Sequence, residues 1–430
     1  MTPPDSPKIL PSRRMLRSLA LAVALAAVVL APLLSAHGWL LAYLSQTAAM
    51  IVFALSYNLL LGSTGLLSFG HAACSGLGAL IAAQLFNRFG MPLPLLPLAG
   101  GLGGMLAGAL LGIIATRRAG TAFAMITLGL GELVAAAAWT LPNWFGGEAG
   151  VPIDRAHGAW GGWSFGPANE AYAVIAGWCL LAGMAMFALS RTPLVRQAYA
   201  VRDNPVRVAA LGGSPRQIRF RMMLLASFFA GIAGTLSLIN VELVSAESVS
   251  MLRSGSVLMA VVIGGTASFF GPVLGAIVLN IFSVALAGVT RAWPLYLGLL
   301  FLVVVMVSPD GLMGLARRQA ARLARYGWRP CALPALLSVL AVLAWSSAVV
   351  LVVQWAYGVA FSVDAPLNRS PGYWAQARMA WLGALMALLL AGAGALAYRG
   401  ALRRWAQLAG MEAKASVGAN APVIETRGAS

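Results

Sequence analysis

The sequence predicts an all-α, polytopic integral membrane protein. Apolar residues make up 60% of its 430 residues, charged residues make up 10%, and the mean hydropathy is +0.84. A water-soluble fold could not bury so much apolar surface, whereas a bilayer solvates it directly. The apolar residues also occur in runs of about twenty, the length at which a helix crosses the hydrocarbon core. We therefore expect about ten core transmembrane or re-entrant helices, followed by a C-terminal hairpin of two helices.

The apolar runs give the predicted helices in order. The basic flank of the first run looks like the start of a signal peptide, but the run lacks a clear small-residue cleavage site, so we treat it as a retained anchor. Glycines interrupt one pair of runs, which we expect to enter and leave the membrane as a hairpin. The runs are Ser18–Ala36, Trp39–Leu61, Ala72–Phe86, Leu93–Ala115, Thr121–Leu141, Ala171–Leu189, Phe220–Val241, Gly255–Ser268, Gly271–Gly288, Pro294–Ser308, Ala332–Trp355 and Met379–Tyr398.

The arginines predict the orientation. The net charge of +17 is concentrated at the ends of the apolar runs, which is typical of topology signals and of headgroup contact. An N-terminus on the inner side places every long basic segment inside, and both termini are then cytoplasmic. Aromatic residues are not interleaved with the arginines as they are in a nucleic-acid-binding surface, so we expect membrane lipids and no nucleic acid as partners. The inner segments are 117–118, 191–221, 317–329 and 399–404, and the outer ones are 142–170, 242–253 and 356–378.

The same features divide the chain into five parts. We expect a basic cytoplasmic N-terminus over residues 1–17, a membrane domain over 18–316, a basic linker over 317–331, an accessory helical hairpin over 332–398 and a polar tail over 399–430. The tail from Met411 onwards is rich in small residues and lacks aromatic ones, which favours disorder. The hairpin runs contain no cluster of glycine and hydroxyl residues, so we expect them to lie outside any transport pathway.

Composition argues against an enzyme. The three cysteines and three histidines are scattered, so the sequence predicts no metal site. The chain contains no glycine-rich phosphate loop that ends in Lys-Ser or Lys-Thr, so we expect no ATPase site and no cofactor in this chain. A membrane-embedded enzyme stays an alternative, although no His, Asp, Glu or Ser groups converge near one membrane face.

Three glycine-rich interruptions lie at membrane depth, over residues 57–71, 127–132 and 264–272. Irregular backbone is tolerated there only where protein or a wet cavity satisfies its polar groups, and transporters use such breaks to bind solutes. The alternative is close helix packing through small residues, or structural hydrogen bonding for the ionisable members. The candidate residues of a solute path are Asn58, Ser68, His71, Thr127, Glu132, Gly264, Gly265 and Thr266. We expect a break at Gly264–Gly271 in particular, because each interior glycine costs a helix about 1 kcal/mol relative to alanine.

A polar loop with many arginines, residues 191–221, lies between two apolar runs on the inner side. Within it, Ala198–Leu211 has helical spacing, and Ala198, Val201, Val208 and Leu211 could share one face, with Arg202 and Arg207 turned elsewhere. Glycines follow at Gly212 and Gly213, where a helix would stop. Such a helix is well placed to be held by a soluble partner, although an ordinary basic loop that only sets topology has the same composition.

Several motifs occur in a fixed order over about 45–316. They are Leu67–Ala73 (LSFGHAA), Ala124–Glu132, Ala200–Gly212, Ser227–Gly234, Val257–Ala276 and Pro309–Leu315. In this order they resemble the permeases of branched-chain amino acid ABC transporters, and the LivM-type subunit most of all. That family also includes urea and short-amide permeases. Two features depart from its pattern: Ala209 and Ala210 stand where an acidic residue is usual, and Pro205 marks the expected helix start.

The resemblance implies a function and a set of partners. It implies a permease subunit of an importer in the bacterial inner membrane, for branched-chain or related amino acids. The implied partners are a second, LivH-like permease, two cytoplasmic ATPase subunits that use ATP, and a periplasmic binding protein. The implied ATPase-coupling residues are Arg202, Asp203, Asn204, Ala209, Ala210, Leu211 and Gly212. Alternatives are a urea or short-amide permease and a stand-alone secondary transporter, which would need more membrane carboxylates or a filter.

Overall fold

A computed structural model of the chain describes residues 38–147, 149–159, 163–288, 292–361, 386–404 and 406–407. The predicted first run, Ser18–Ala36, and the tail after residue 407 lie outside these ranges. Within them, six helices are long and apolar enough to cross a membrane, or up to seven if a bent pair counts as one span. The prediction of an all-α, multi-pass membrane protein is therefore confirmed.

The helices follow the predicted runs closely. The long helices of the membrane part are α1 (Gly38–Thr64), α2 (His71–Phe89), α3 (Leu96–Ala115), α4 (Thr121–Thr140), α6 (Ala168–Leu189), α9 (Pro215–Val241), α10 (Met251–Gly264), α11 (Gly271–Asn280) and α12 (Trp293–Val307). Shorter helices lie between them, namely α5 (Pro142–Phe145), α7 (Pro193–Asp203) and α8 (Pro205–Ala210). Three single-turn 3-10 helices cover Leu93–Leu95, Arg155–Gly158 and Ala246–Val249, and one π-helical turn, Ile281–Leu286, continues α11.

Glycine packing holds the centre of the membrane part together. A methyl group on Gly104 of α3 would lie 2.5 Å from the Ser227 carbonyl oxygen and 2.7 Å from the Cα of Gly231, both on α9. A methyl on Gly78 of α2 would meet Gly231 at the same distance of 2.7 Å. Small residues let membrane helices approach to backbone contact. Dispersion and weak hydrogen bonds then hold the helices together, because the hydrophobic effect does not drive helix association within a lipid bilayer. The three helices therefore pack through their backbones, as the small-residue alternative predicted.

The segments that the predicted topology places outside are tied to each other. Strands β1 (Val151–Pro152) and β2 (Leu243–Val244) pair antiparallel, with Val151 opposite Val244. Beside them, the Arg155 Nε atom lies 2.8 Å from Glu242 Oε1 in an ion pair. This short ribbon joins the connection after α4 to the connection after α9.

The expected break in the glycine-interrupted hairpin is confirmed. Helix α10 has 14 residues and ends at Gly264, and α11 begins at Gly271. The limbs pack closely, because Gly264 abuts the Gly271 carbonyl group and Gly275 abuts the Ala260 carbonyl group. Helix α10 alone is about 21 Å long, shorter than the hydrocarbon core of about 30 Å.

The predicted basic linker over 317–331 is helical. Helix α13 (Gly311–Tyr326) and helix α14 (Trp328–Phe361) contain all of these residues except Gly327, whose φ of +76° separates the two helices. Arginine is a good helix former, so a basic run on one face of a helix does not interrupt it. The chain divides between Gly314 and Leu315 into two compact units.

The second unit contains the predicted helical hairpin. Its second helix, α15, covers residues 386–404 and so runs past the predicted end at Tyr398. Trp345 of α14 donates from Nε1 to the Ala391 carbonyl oxygen at 3.2 Å and packs against Tyr398 at 5.5 Å between ring centroids. Helices α14 and α15 therefore contact each other, and residues 362–385 between them lie outside the described ranges.

Candidate translocation and coupling site

The first glycine-rich interruption folds back along α1. The chain turns at Gly65, with φ +71°, and the Tyr57 hydroxyl then donates to the Ser68 carbonyl oxygen at 3.0 Å. His71, the first residue of α2, has its Nε2 atom 3.1 Å from the Ser56 Oγ atom. Ser56 lies eight residues before the end of α1, so α2 begins about 12 Å back along α1 from that end. Helix α2 thus starts beside α1 well before the end of that helix, an arrangement typical of discontinuous helices in transporters.

His71 is enclosed where α2 begins. Its ring is fully buried, stacks on Phe53 at 5.6 Å and meets Tyr57 edge to face at 5.2 Å. The Nδ1 atom of His71 and the Oγ atom of the buried Ser68 have no hydrogen-bond partner among the described residues. In this conformation the two residues lie in the interior of the chain and fix the folded-back segment.

Two other helices hold the same segment. The Phe69 backbone N–H donates to Thr127 Oγ1 of α4 at 3.2 Å, and a methyl on Gly131 would lie 3.0 Å from the Gly70 Cα. At the start of α2, the Ala72 N–H donates to Ser254 Oγ of α10 at 3.0 Å. These hydroxyl groups satisfy backbone donors that the irregular segment and the helix start leave free.

Glu132 does not join this cluster. It lies on the exposed side of α4, away from the buried face that carries Thr127 and Gly131. The structure therefore places one member of the predicted path apart from the others.

The predicted interruption at residues 127–132 is wrong, because these residues lie within the continuous helix α4. The interruption at residues 264–272 meets the one at residues 57–71. A methyl on Gly62 would lie 2.6 Å from Asn58 Oδ1 and 3.2 Å from the Thr266 carbonyl oxygen. Gly265 adopts φ +103°, which favours glycine, and it lies against the Asp310 carbonyl group. The end of α1, the break after α10 and the turn before α13 therefore form one junction, which contains Asn58, Gly264, Gly265 and Thr266.

The inner loop differs from its prediction. A single helix over Ala198–Leu211 is wrong, because the backbone is extended at Asn204 (φ −154°, ψ 94°) and two helices, α7 and α8, result. The Asn204 side chain caps α8 by accepting from the Arg207 N–H at 2.9 Å, and the prediction that Pro205 starts a helix is confirmed.

The expected common apolar face also fails. Ala198 and Val201 are buried, together with Val195, but Leu211 follows the end of α8 and is 83% exposed. The break at Asn204 changes the helical phase, so spacing across it no longer predicts a shared face.

Arg202 is exposed, but its guanidinium reaches the end of α1. Its Nη1 atom donates to the Gly62 carbonyl oxygen at 2.6 Å, and its Cγ atom lies 3.3 Å from the position of a methyl on Gly65. The guanidinium thus supplies a donor and a positive charge to the C-terminal end of α1, where helix carbonyl groups are free. Arg202 therefore links the inner loop to the junction of the two breaks.

The remaining predicted coupling residues form an exposed surface on the inner loop. Gly212 has φ +83° and open space around it, which allows the turn after α8. This surface is available to a soluble partner and consists of Asp203, Ala209, Ala210, Leu211 and Gly212.

Sequence reasoning assigned no site role to three residues that hold the folded-back segment and the start of α2, namely Ser56, Tyr57 and Ser254. Ser56 and Tyr57 lie in a predicted apolar run and Ser254 directly precedes one, and a hydroxyl in such a run most often bonds its own helix. Only the helix packing shows which of them reach the neighbouring segment.

Known proteins are similar to the part of the chain that contains both breaks and the inner loop. Residues 39–308 match the family described as branched-chain amino acid transport system / permease component. The chain is 30% identical over 296 residues to the high-affinity branched-chain amino acid transport system permease protein LivM of Escherichia coli (strain K12), which covers 64% of this chain and 69% of that protein. It is 30% identical over 298 residues to the LivM protein of Salmonella typhimurium (strain LT2), with 64% and 70% covered. No solved structure matches the chain.

The family match covers α1 to α12, both glycine breaks and the inner loop, and it ends before the second compact unit. It spans more than half of the chain. The chain therefore belongs to the branched-chain amino acid transport system permease family.

Proposed function

We propose that this chain is the transmembrane permease subunit of an ABC importer of branched-chain amino acids in the bacterial inner membrane. The observation that carries the proposal is the bond from Arg202 Nη1 to the Gly62 carbonyl oxygen, which joins the exposed inner loop to both glycine breaks. A transport subunit that is driven by a separate ATPase subunit needs such a connection. A stand-alone transporter, which is driven by its own coupling ions, does not.

The geometry suggests how a partner drives transport. A cytoplasmic ATPase dimer, which uses ATP, presses on the exposed surface around Leu211 and displaces α7 and α8. The buried face of α7, with Ala198 and Val201, carries that displacement to the membrane part. Arg202 passes it to the end of α1, where Gly62 meets Thr266. Glycine-rich backbone changes conformation at low cost, so the two breaks are the elements that alternate.

The solute path in this proposal runs beside the two breaks, between this chain and a second, LivH-like permease. Backbone groups freed at the breaks satisfy the polar ends of an amino acid, and apolar helix surfaces accommodate its side chain. A periplasmic binding protein docks on the outer connections, which the β1–β2 ribbon joins. The buried Ser68, His71 and Thr127 act as the scaffold of the first break.

The orientation belongs to the same proposal. The inner loop and α13 are rich in arginine, so the positive-inside rule favours both termini in the cytoplasm. The ATPase then reaches the inner loop, and the binding protein reaches the ribbon.

Uptake by the complete importer tests this function. The chain is reconstituted in liposomes with the second permease, the ATPase subunits and the binding protein, and uptake of leucine, urea and acetamide is measured with and without ATP. Leucine uptake that requires ATP and the binding protein is the expected result. ATP-dependent uptake of urea or acetamide alone contradicts the amino acid assignment, and leucine uptake by this chain alone contradicts the importer.

A further inference from the structure

The second compact unit carries a concentrated positive charge at one end. Its described residues contain no aspartate or glutamate. The Cys331 thiol of α14 donates to the Arg322 carbonyl oxygen of α13 at 3.7 Å, and a methyl on Gly400 of α15 would lie 3.5 Å from Leu337 of α14. The first three turns of α14 therefore contact both α13 and the end of α15. Seven arginines on these two helices are exposed, namely Arg317, Arg318, Arg322, Arg325, Arg399, Arg403 and Arg404.

Helix α13 has this charge on one side and an apolar groove on the other. Arg318, Arg322 and Arg325 share one helix face by their spacing. On the opposite side, Ala320 and Leu323 line a groove of about 410 Å³ between α13 and α14, with Gln319 at its edge. The α14 side of the groove is apolar and consists of Cys331, Ala332, Ala335, Leu336 and Val339. A basic face and an apolar groove therefore lie next to each other.

Both features lie where a membrane helix begins. The part of α14 whose length and hydropathy suit a membrane crossing is Pro330–Gln354, and α13 ends at Tyr326, four positions before it. Four residues of chain reach at most about 14 Å, so the end of α13 lies close to the lipid headgroups. A basic amphipathic helix in this position is typical of contact with anionic lipids.

The segments of the chain outside the described ranges do not supply the missing negative charge. Residues 1–37 contain four basic residues and one acidic residue, residues 362–385 contain two and one, and residues 408–430 contain two and two. The apolar run 18–36 directly follows three arginines, so its basic end would add positive charge to the cluster. A second copy of the chain presents the same arginines, which are not deprotonated in proteins, so pairing of the two surfaces would bring like charges together.

We propose that this end of the second unit binds an anionic phospholipid, with its phosphate on the arginines of α13 and α15 and an acyl chain in the groove. Arginine binds phosphate oxygens through paired N–H groups, and the groove offers an apolar surface to the chain. An acidic soluble protein matches only the charge, and a zwitterionic lipid matches only the groove. The inference goes beyond the proposed function, because it holds for any solute that the importer carries.

Native mass spectrometry of the full chain in detergent tests the lipid. The chain is titrated with phosphatidylglycerol, or with phosphatidylcholine that has the same acyl chains, and the retained lipid is measured. We expect phosphatidylglycerol to bind at least about tenfold more tightly, because each arginine near a membrane surface contributes about fivefold. This comparison uses the unmodified chain, so it does not depend on the folding of a variant. Equal retention of the two lipids, or retention of neither, overturns the proposal.

Two pairs of variants locate the site. Replacing the four α13 arginines with glutamine should weaken phosphatidylglycerol binding about tenfold or more, whereas the matched control replaces four exposed arginines of the inner loop, Arg191, Arg196, Arg216 and Arg221, and should not. Ala335→Phe fills the groove and should weaken binding about fourfold or more, the effect of excluding one methylene group, whereas Ala393→Phe on the exposed side of α15 should not. Equal losses within either pair overturn the site. An effect of the α13 arginines without an effect of Ala335→Phe contradicts the lipid and indicates a partner that is bound by charge alone.

Discussion

Replacing Arg202 with alanine removes the link between the inner loop and the membrane part. In the structure, the guanidinium donates to the Gly62 carbonyl oxygen at 2.6 Å, close to the end of α1 at Thr64. The alanine variant keeps the buried apolar face of α7, since Ala198 and Val201 are unchanged. The substitution therefore tests the hydrogen bond and the charge, and leaves the packing of the helix in place.

The size of the effect follows from the geometry. A hydrogen bond from a charged group contributes about 1.5–3 kcal/mol, and we take about 1 kcal/mol here because Arg202 is largely exposed. A cation at a helix C-terminus adds about 0.3–1 kcal/mol. The total of about 1–2 kcal/mol corresponds to a factor of about five to thirty in the equilibrium between attached and detached α7. Arg202→Lys should fall between the two, because lysine keeps the charge but lacks the planar fork of donors.

Coupling in reconstituted liposomes is the measurement. The amount of solute imported per ATP hydrolysed is expected to fall about fivefold or more in Arg202→Ala, while the ATPase subunits still bind. Arg196→Ala is the matched control, since Arg196 is exposed on the same helix and its loss removes the same charge. Equal losses in both variants would show that net charge, and not the contact with Gly62, matters. An unchanged ratio in Arg202→Ala would refute the link altogether.

Three further predictions use other parts of the chain. Gly264→Ala should destabilise the protein by about 1–3 kcal/mol in thermal unfolding, because the added methyl group meets the α11 backbone. The control Gly255→Ala, on the same helix, has open space and should be neutral or stabilising, so equal changes in unfolding free energy would contradict the packing. Aspartates at the exposed Leu211 and Gly212 should abolish solute-stimulated ATP hydrolysis while membrane insertion persists, and unchanged stimulation would disprove the ATPase contact. Truncation after Arg325 should leave substantial uptake, and its loss from a normally assembled importer would place the C-terminal hairpin in the mechanism.

The sequence determined the class of the protein, most of its helix positions and the breaks. A bilayer sets the length of an apolar run and requires every backbone polar group to be satisfied, so a short stretch of sequence is enough to predict these features. The break at Gly264–Gly271 was predictable for that reason, because glycines and hydroxyl residues accumulate there. The helical conformation of the basic segment 317–331 was not predictable, since arginines fit a helix as well as a loop.

Tertiary packing alone decided which way the site residues face. Thr127 and Glu132 lie five residues apart on α4, yet the first holds the folded-back segment and the second lies on the exposed side. Arg202 has the same composition signal as its neighbouring arginines, but it reaches Gly62, which is 140 positions away in the chain. Periodicity shows that residues share or oppose a face, but it does not show which face is buried. That choice depends on contacts between distant segments, and here backbone packing of glycines in α2, α3 and α9 makes it.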